Sequence, residues 1–401
     1  MGRTVRYSSS RTQKDVRGTR LLTYYEFFAG GGMVRAGLGP AWQCLFANDI
    51  DTKKAATYRA NWGDSGELHV GDIHQIDPLR PPARADLMWG SSPCQDLSLA
   101  GAGAGLVGAR SGAFYGFWQI AAGLAAAGRA PRVVVVENVV GALTSDQGRD
   151  FEAMIRTFIA HGYRVGALVI NADLFVPQSR PRLFIIGVHR DVPNSMRLCS
   201  PTPLPPFHSP NLIRAIKRLP GDLRDQILWW NLPPPPQRNT TFVDLIEEHP
   251  ESVRWHTSEE TAQLLTLMSP VNVAKVDAAR RAGGRVVGAV YRRTRKEGGQ
   301  RVQRAEVRFD DVAGCLRTPS GGSSRQTILI VEGERIRSRL ISARETARLM
   351  GLDDGYHLPT RYNDAYHVTG DGVVVPVVRH LAAHIFEPML AAESAPIGQV
   401  A

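Results

Sequence analysis

The amino-acid sequence predicts an α/β protein, with a doubly wound, mostly parallel sheet and a smaller, irregular second domain. The first observation is that short apolar runs, rich in β-branched and aromatic residues, alternate with helical stretches from residue 21 to about residue 189. The second is a change between residues 191 and 335, where proline clusters precede polar stretches rich in arginine and glycine. The third is length, because 401 residues exceed what one hydrophobic core comfortably serves.

The predicted elements follow one another in the order that such a sheet requires. Strands are predicted at residues 24–28, 43–47, 86–89, 133–136, 165–170 and 182–187, and helices at residues 114–127, 149–161, 343–350 and 374–386. The predicted domains are a basic, disordered extension over residues 1–20, a first domain over residues 21–190 and 337–390, a second domain over residues 191–336, and a frayed tail over residues 391–401.

The distribution of charge indicates a polyanionic partner. The net charge is +10, and residues 190–339 hold 24 Lys and Arg against 16 Asp and Glu, with 21 of those cations being Arg. Guanidinium groups suit bidentate contacts to phosphate and to guanine edges. A solvated basic face is the alternative interpretation of the same charge.

Composition also predicts a cytoplasmic protein without a metal. The sequence shows no apolar run near the length of about 18 residues that a membrane span needs, and no secretory signal. The four cysteines, which are Cys44, Cys94, Cys199 and Cys315, include no CxxC pair. This spacing argues against a zinc site and against a disulfide framework.

Three predicted strand ends carry glycines and acids that suit a nucleoside-containing cofactor. Gly30 and Gly32 belong to a glycine turn after the first strand, where the backbone can approach a cofactor closely. Asp49 follows the second strand and could accept hydrogen bonds from ribose hydroxyls, and Asp72 stands where a third strand should end. Ordinary turn residues are the alternative at each position taken alone.

Cys94 is the candidate nucleophile. It follows the predicted strand at residues 86–89 and precedes a segment rich in small residues, which would let a thiol-bearing loop close over a substrate. A small cysteine packed at a strand end is the alternative. Glu137 follows four valines at a buried strand end, which makes it a candidate acid or neutral hydrogen-bond donor. Arg180 and Arg182 lie on one face of an extended segment aimed at the same crevice.

Taken in order, these segments resemble the motifs of DNA (cytosine-5) methyltransferases of bacterial restriction–modification systems, over nearly the whole chain. One glycine or cysteine motif would be weak evidence, whereas the ordered set is specific. The matching segments are Phe28-Ala29-Gly30-Gly31-Gly32, Asp49-Ile50, Asp72, Pro93-Cys94-Gln95, Glu137-Asn138-Val139, Gln178-Ser179-Arg180-Pro181-Arg182, the helix motif between Arg344 and Gly351, and Gly370-Asp371-Gly372-Val373.

The resemblance implies a Rossmann-like fold that binds S-adenosylmethionine and methylates C5 of a cytosine flipped out of duplex DNA. By the same resemblance, Cys94 adds to C6 of the base, Glu137 acts at N3, and Arg180 contacts the O2 side. Arg182 is expected to support the catalytic loop or to contact a phosphate, and Asn138 to orient the base edge or the loop. The implied catalytic residues are Cys94, Gln95, Glu137, Asn138, Arg180 and Arg182, and the implied cofactor-binding residues are Phe28, Ala29, Gly30, Gly32, Asp49, Ile50, Asp72, Ile73, Pro93, Asp371 and Val373.

The chain departs from the family pattern in two places. Asp371 and Gly372 replace the usual Asn and Ala or Ser of the C-terminal motif, and a carboxylate there could weaken cofactor binding. Ser91 and Ser92 precede the Pro-Cys pair where many members have Gly and Pro, which is a conservative change in size.

The second domain is expected to select the DNA sequence. Within a glycine-rich segment, Arg317, Ser323, Arg325 and Gln326 are the candidate base contacts, and Arg293 is the candidate phosphate contact. A flexible surface loop is the alternative for that segment. An RNA cytosine-5 methyltransferase of the same fold and a non-catalytic DNA-binding relative are the alternative functions. The protein is predicted to be a monomer bound to double-stranded DNA, with a cognate restriction endonuclease as a candidate functional partner.

Overall fold

The structure, a computed structural model, describes residues 20–92, 112–193, 198–317 and 325–391. Most of the predicted N-terminal extension and tail therefore lie outside the described residues. The strands are β1 Leu22–Phe27, β2 Trp42–Asp49, β3 Leu68–Val70, β4 Leu87–Ser91, β5 Val133–Val139, β6 Tyr163–Asn171, β7 Pro181–His189, β8 Cys199–Ser200, β9 Ile227–Trp230, β10 Arg285–Glu297, β11 Gln300–Arg308, β12 Thr327–Glu332 and β13 Arg335–Leu340. The helices are α1 Met33–Leu38, α2 Thr52–Trp62, α3 Ala113–Ala126, α4 Arg149–Ala160, α5 Pro210–Arg218, α6 Gly221–Arg224, α7 Ser258–Thr266, α8 Pro270–Ala282, α9 Ala343–Leu349, α10 Tyr362–Asp371, α11 Val375–Leu381 and α12 Glu387–Ala391, with a π-helical segment, Ala382–Phe386, between the last two.

The predicted α/β fold with a mostly parallel sheet is confirmed. Nine strands form one sheet in the order β3-β2-β1-β4-β5-β7-β6-β9-β8. The pairs β1–β2, β1–β4, β2–β3 and β4–β5 are all parallel. The strand order reverses between β1 and β4, and in open α/β sheets ligands bind at the carboxyl ends of the strands beside such a point.

Two strands depart from the parallel arrangement. The short edge strand β8 pairs antiparallel with β9, and β7 pairs antiparallel with both β5 and β6. No crossover helix separates β6 from β7, because only a short link with one 3₁₀ turn, Ala172–Leu174, joins them. A short connection favours antiparallel pairing, and β7 therefore enters the sheet from the edge where β5 ends.

The second domain is more regular than the sequence predicted. Strands β10 to β13 form a four-stranded antiparallel sheet in the order β11-β10-β12-β13, in which β10 and β11 make a long hairpin. The prediction of an irregular region is therefore wrong for this part. In addition, β9 pairs in parallel with β6, so Trp229 and Trp230 of β9 pack on the first sheet. The assignment of residues 191–336 to one recognition domain stays a prediction.

The core explains why the central strands read as continuous apolar runs. Trp89, Val133 and Val135 belong to a cluster on one face of the large sheet, whereas Met88 and Val134 belong to a cluster on the other face. Strands buried on both faces carry apolar side chains at successive positions. The first of these clusters also includes residues of β10 and β12, so one face of the second sheet packs against the first sheet's core.

The C-terminal helical stretch Tyr362–Ala391 is long and apolar enough to cross a membrane by length and composition alone. Within the most apolar 18-residue window of this stretch, 61% is buried inside the protein. Its packing therefore identifies it as a core element of the first domain.

Candidate active site

The glycine turn after β1 is packed against side chains at Gly31 and open at Gly30. Trp62 Nε1 and Tyr356 Oη donate to the Gly31 carbonyl at 3.0 and 2.8 Å. A Cβ added to Gly31 would lie 2.1 Å from Tyr356 Oη, so that position excludes a side chain. Gly30 has a φ of 56°, and no atom of the residues that the structure describes lies within 4 Å of its added Cβ, which leaves its outer side open to a ligand.

Asp49 lies at the carboxyl end of β2, directly beside the turn. Its Oδ2 accepts from Gly30 N and its Oδ1 from Asp51 N, both at 2.8 Å. Burial raises the pKa of this carboxyl, although the two main-chain bonds oppose the shift. The next residue, Ile50, is 68% exposed although it is a large apolar side chain. An acceptor pair beside an exposed apolar platform fits the ribose and the base of a nucleoside.

The other predicted cofactor residues divide between the site and the core. Asp72 follows β3 and caps a short turn by accepting from His74 N at 3.0 Å. The Ile73 side chain is buried in the core, so only its main chain can face a ligand. Asp371 ends α10 and forms an ion pair with Lys54, and Val373 is buried beside it.

The sheet register brings Glu137 to the strand end that leads to the predicted nucleophile. Glu137 of β5 is the register partner of Ser91, the last residue of β4. Asn138 Nδ2 donates to Ser92 Oγ at 3.3 Å, which ties the two strand ends together. The chain continues from Ser92 to Pro93, Cys94 and Gln95, all of which lie outside the described residues.

Arg182 reaches Glu137 because β7 runs antiparallel to β5. Its Nε lies 3.1 Å from Glu137 Oε1, with both side chains largely buried at 16% and 9% exposure. The pair therefore places a cation beside the carboxylate near the carboxyl end of β5.

The burial and bonding of Arg180 disagree with one prediction. It was expected to contact a cytosine, but it is 2% exposed, and its guanidinium bonds to main-chain carbonyls. Nη1 donates to Leu316 O at 2.9 Å, and Nη2 donates to Gly370 O and Gly372 O, both at 2.8 Å. Burial lowers the pKa of Arg180 to about 10. Arg180 thus holds the end of α10 to the second domain, and Arg182 is the arginine that faces Glu137.

The sequence missed two residues at this edge of the sheet. Glu26, inside β1, is buried, and burial raises the pKa of its carboxyl to about 8. Cys315 lies 3.4 Å from Arg180 Nη1 and 3.8 Å from Arg182 Nη2. Burial alone would raise the pKa of this thiol, but the two arginines lower it below its usual value. An acid within an aromatic strand could have pointed to Glu26, whereas nothing local points to Cys315.

A basic cleft of about 780 Å³ runs from the start of β7 to the β10–β11 hairpin. Arg293 and Arg317 both line it, and their contacts to DNA stay a prediction. Arg293 stacks over Tyr291 at 5.6 Å and lies 3.6 Å from Glu306. The lining residues are Ser179, Pro181, Tyr291, Arg292, Arg293, Thr294, Arg295, Lys296, Arg301, Arg308, Gly314, Cys315 and Arg317.

The remaining predicted DNA contacts are placed differently. Gln326 is buried, and its side chain both donates to and accepts from the main chain of Gly314, at 2.8 and 3.1 Å. Both ends of its amide are therefore occupied, which argues against base reading. Arg325 donates to Asn363 Oδ1 at 2.5 Å and lies over the Tyr362 ring, so it contacts α10. Ser323 lies outside the described residues.

Within the ranges that the structure describes, no three His, Cys, Asp or Glu side chains gather as a possible metal site.

Comparison with known proteins adds the family to this geometry. A model of C-5 cytosine-specific DNA methylases matches residues 22–387. The type II methyltransferase M.NlaX of Neisseria lactamica is 26% identical over 92% of this chain and 96% of its own length. M.HpaII of Haemophilus parainfluenzae is 26% identical over 92% of this chain and 90% of its own. The solved structure of the Entamoeba histolytica methyltransferase EhMeth superposes with a TM-score of 0.60 over 92% of this chain and 99% of EhMeth. Sequence identity is 12%, so this match shows a common fold.

The family match spans the glycine turn, the end of β5, the second sheet and most of the C-terminal helices alike. The chain therefore belongs to the C-5 cytosine-specific DNA methylases and is a DNA (cytosine-5) methyltransferase.

Proposed function

We propose that this protein transfers a methyl group from S-adenosylmethionine to C5 of a cytosine within a specific sequence of duplex DNA. One observation carries the proposal: the ends of β4, β5 and β7 converge, so that Ser92, Glu137 and Arg182 share one crevice. Two residues beyond Ser92 stands Cys94, the motif cysteine. The named relatives are type II methyltransferases, which supports a role as the modification half of a restriction–modification system.

The cofactor site is proposed at the carboxyl ends of β1, β2 and β3. Asp49 would hold the ribose hydroxyls, Ile50 would cover the adenine, and Asp72 would hold its amino group. When bound, S-adenosylmethionine supplies an electrophilic methyl group. The open face of Gly30 and the exposed side chain of Ile50 support this fit.

The chemistry follows from the poor nucleophilicity of cytosine C5. The Cys94 thiolate would add to C6, which gives C5 carbanion character, and loss of the C5 proton after transfer would expel the thiolate. Glu137 would hold a proton at N3, which draws electrons from the ring and favours addition at C6. Arg182 orients Glu137 through their ion pair and would present its guanidinium to the base edge.

Access to C5 requires that the base leave the stacked duplex, at a cost of a few kcal/mol. The basic cleft opens beside Pro181 and Cys315, next to the crevice. Its arginines would hold the phosphate backbone while one nucleotide enters the site. We also propose that the protein acts as a monomer in the cytoplasm on nucleoid DNA, with a cognate restriction endonuclease as its functional partner.

The nucleophile is tested with the variant Cys94→Ser and with duplex DNA that carries 5-fluorocytosine at the target. Cys94→Ser is expected to lose methyl transfer while it still binds DNA and S-adenosylmethionine. The fluorinated duplex offers no C5 proton to remove, so the wild type is expected to form an adduct that survives denaturing electrophoresis. The matched control is Cys199→Ser, because Cys199 lies on β8 at the far edge of the sheet.

Substantial turnover by Cys94→Ser, or no adduct in a preparation shown to be active, would contradict the covalent mechanism. Tritiated methyl transfer to duplex DNA and to tRNA, measured side by side, separates the DNA enzyme from an RNA enzyme of the same fold.

A further inference from the structure

Lys54 joins two parts of the proposed cofactor site that are far apart in the sequence. Its Nζ lies 2.7 Å from Asp371 Oδ2. Lys54 is in the first turn of α2, where its main-chain N–H donates to Asp51, the residue that caps the helix. Asp371 is the last residue of α10. One ammonium group therefore connects the start of α2 to the end of a C-terminal helix.

The end of α10 packs directly against the glycine turn. A Cβ added to Gly31 would lie 2.9 Å from Val368 Cγ1, and Val368 belongs to α10. A Cβ added to Gly372 would lie 2.2 Å from Met33 Sδ, at the start of α1. Neither glycine leaves room for a side chain, so the end of α10 packs closely against the turn and the start of α1, and a shift of that end would displace them.

Without a counter-charge, the Asp371 carboxylate would be in an unfavourable position. The carboxyl end of a helix carries partial negative charge from its unpaired carbonyls, and an anion there is destabilising. Asp49 and Asp51 are two further carboxylates that interact electrostatically with Lys54. Burial lowers the pKa of Lys54, but Asp371, Asp49 and Asp51 raise it by more, so Lys54 is a protonated cation among three acids.

We propose, on the basis of the proposed function, that Lys54 is a positioning residue for S-adenosylmethionine, which neutralises Asp371 and so keeps the end of α10 compatible with a bound cofactor. An unpaired Asp371 would bring an uncompensated negative charge to the site and disfavour a ligand that carries its own carboxylate. The Lys54–Asp371 pair thereby accounts for an acid at a position where the resemblance leads one to expect an amide.

A neighbouring ion pair provides a matched control. Lys53 Nζ lies 2.9 Å from Asp364 and joins the same two helices, α2 and α10. The Lys53 side chain is 61% exposed, whereas that of Lys54 is 18% exposed. A purely mechanical link between the helices would be shared by both lysines, whereas neutralisation of Asp371 belongs to Lys54 alone.

The test measures binding of S-adenosylmethionine and S-adenosylhomocysteine to the full chain by calorimetry without DNA. Lys54→Met is expected to raise both dissociation constants by about tenfold, because it leaves Asp371 unpaired. The double variant Lys54→Met/Asp371→Asn is expected to return to within about threefold of wild type, since no unpaired charge remains. Lys54→Arg should also retain affinity, and Lys53→Met should bind like wild type. In steady-state assays, Lys54→Met should raise the KM for S-adenosylmethionine and leave kcat and the KM for DNA unchanged.

Equal binding by Lys54→Met and wild type would overturn the inference, and so would a double variant as weak as Lys54→Met. Melting curves without ligand show whether each variant folds, and Lys54→Gln replaces Lys54→Met if the latter does not. A wild type that binds neither ligand would refute the proposed function, whereas a wild type that binds both would confine any failure to Lys54.

Discussion

At the scale of single residues, Glu26 shows how burial raises the pKa of an acid beside the proposed cofactor site. Its carboxyl lies inside β1, and Oε2 has no hydrogen-bond partner among the described residues. Burial raises the pKa, and the nearby Arg35 and the main-chain N–H groups of Val34 and Arg35 only partly oppose this rise. The folded protein therefore holds a proton on Glu26 at neutral pH, which the unfolded chain releases.

Glu26→Gln should remove a pH dependence from the stability of the protein. The pKa of Glu26 rises from 4.5 to about 8 on folding, so the ionisation penalty is absent below the first value and complete above the second. The stability of wild type should fall relative to that of Glu26→Gln between these limits, by roughly 3–5 kcal/mol in total. Urea unfolding at intervals from pH 5 to pH 9 measures the difference.

Glu259→Gln is the control, because Glu259 is an exposed carboxyl in the first turn of α7. It shows what the loss of one exposed carboxyl does to the same unfolding curves. A difference between Glu26→Gln and wild type that does not change with pH would mean that Glu26 is ionised in the folded state.

The sequence could place Asp49 and Glu137 but could not distinguish Arg180 from Arg182. Acids that follow parallel strands gather at one edge of the sheet, so pattern alone predicts their neighbourhood. The two arginines stand two positions apart in one motif. Which one is buried depends on the antiparallel entry of β7 and on carbonyls of residues 316, 370 and 372, which no local pattern reveals.

At the scale of elements, the β10–β11 hairpin shows where pattern fails. From Arg292 to Lys296, β10 carries charged or polar side chains on both faces, so it lacks the alternation that identifies a strand. This segment is a strand nevertheless, because β10 pairs with β11 in continuous register. Gly298 and Gly299 form the turn of the hairpin, both at positive φ. The central strands were predictable because burial on both faces enforces apolar runs.

The junction of β13 with α9 depends on a buried ion pair. Arg339 donates to both carboxylate oxygens of Glu345, at 2.5 and 2.8 Å, and both side chains are fully buried. Glu345 also accepts from Ser342 N in a capping box, which starts α9. Trp255 covers the guanidinium at 5.0 Å. The pair thus fixes the first helix after the second sheet.

Glu345→Gln should destabilise the protein by about 3–5 kcal/mol, because it leaves the Arg339 guanidinium buried without a counter-charge. The double change Arg339→Met/Glu345→Gln should recover most of that loss, because neither charge remains and the glutamine amide oxygen can still accept from Ser342 N. The control is Arg254→Met, which breaks an Arg–Glu pair of similar bidentate geometry on the surface. It should cost about 1 kcal/mol or less. Denaturant unfolding measures all three, and equal losses for Glu345→Gln and Arg254→Met would contradict the argument.

At the scale of the whole molecule, the fold places a basic cleft beside the proposed active site. Ala313 and the segment around Gln178 exchange main-chain bonds of 2.8 Å, which fasten the second sheet to the start of β7. Gln178 is buried there and bonds to Leu316 N and Leu349 O. The basic cleft is therefore held at a fixed place beside Arg182, and a duplex bound by its phosphates would present a base to the crevice.

The last prediction separates the two ends of this cleft. Arg293, on the hairpin, should meet phosphate, so Arg293→Ala should weaken binding to cognate and mismatched duplexes alike and reduce the salt slope by about one. Arg317 lies next to Cys315 at the active-site end, so Arg317→Ala should cost about 1–3 kcal/mol on the cognate duplex and less on mismatched ones. Bisulfite sequencing of DNA from cells that express the protein supplies the cognate sequence, and affinities across a salt series supply the slopes. Arg254→Ala, outside the cleft lining, should change neither quantity. An unchanged slope for Arg293→Ala would remove the hairpin from the phosphate contacts, and equal losses on every duplex for Arg317→Ala would make it a phosphate contact instead of a base contact.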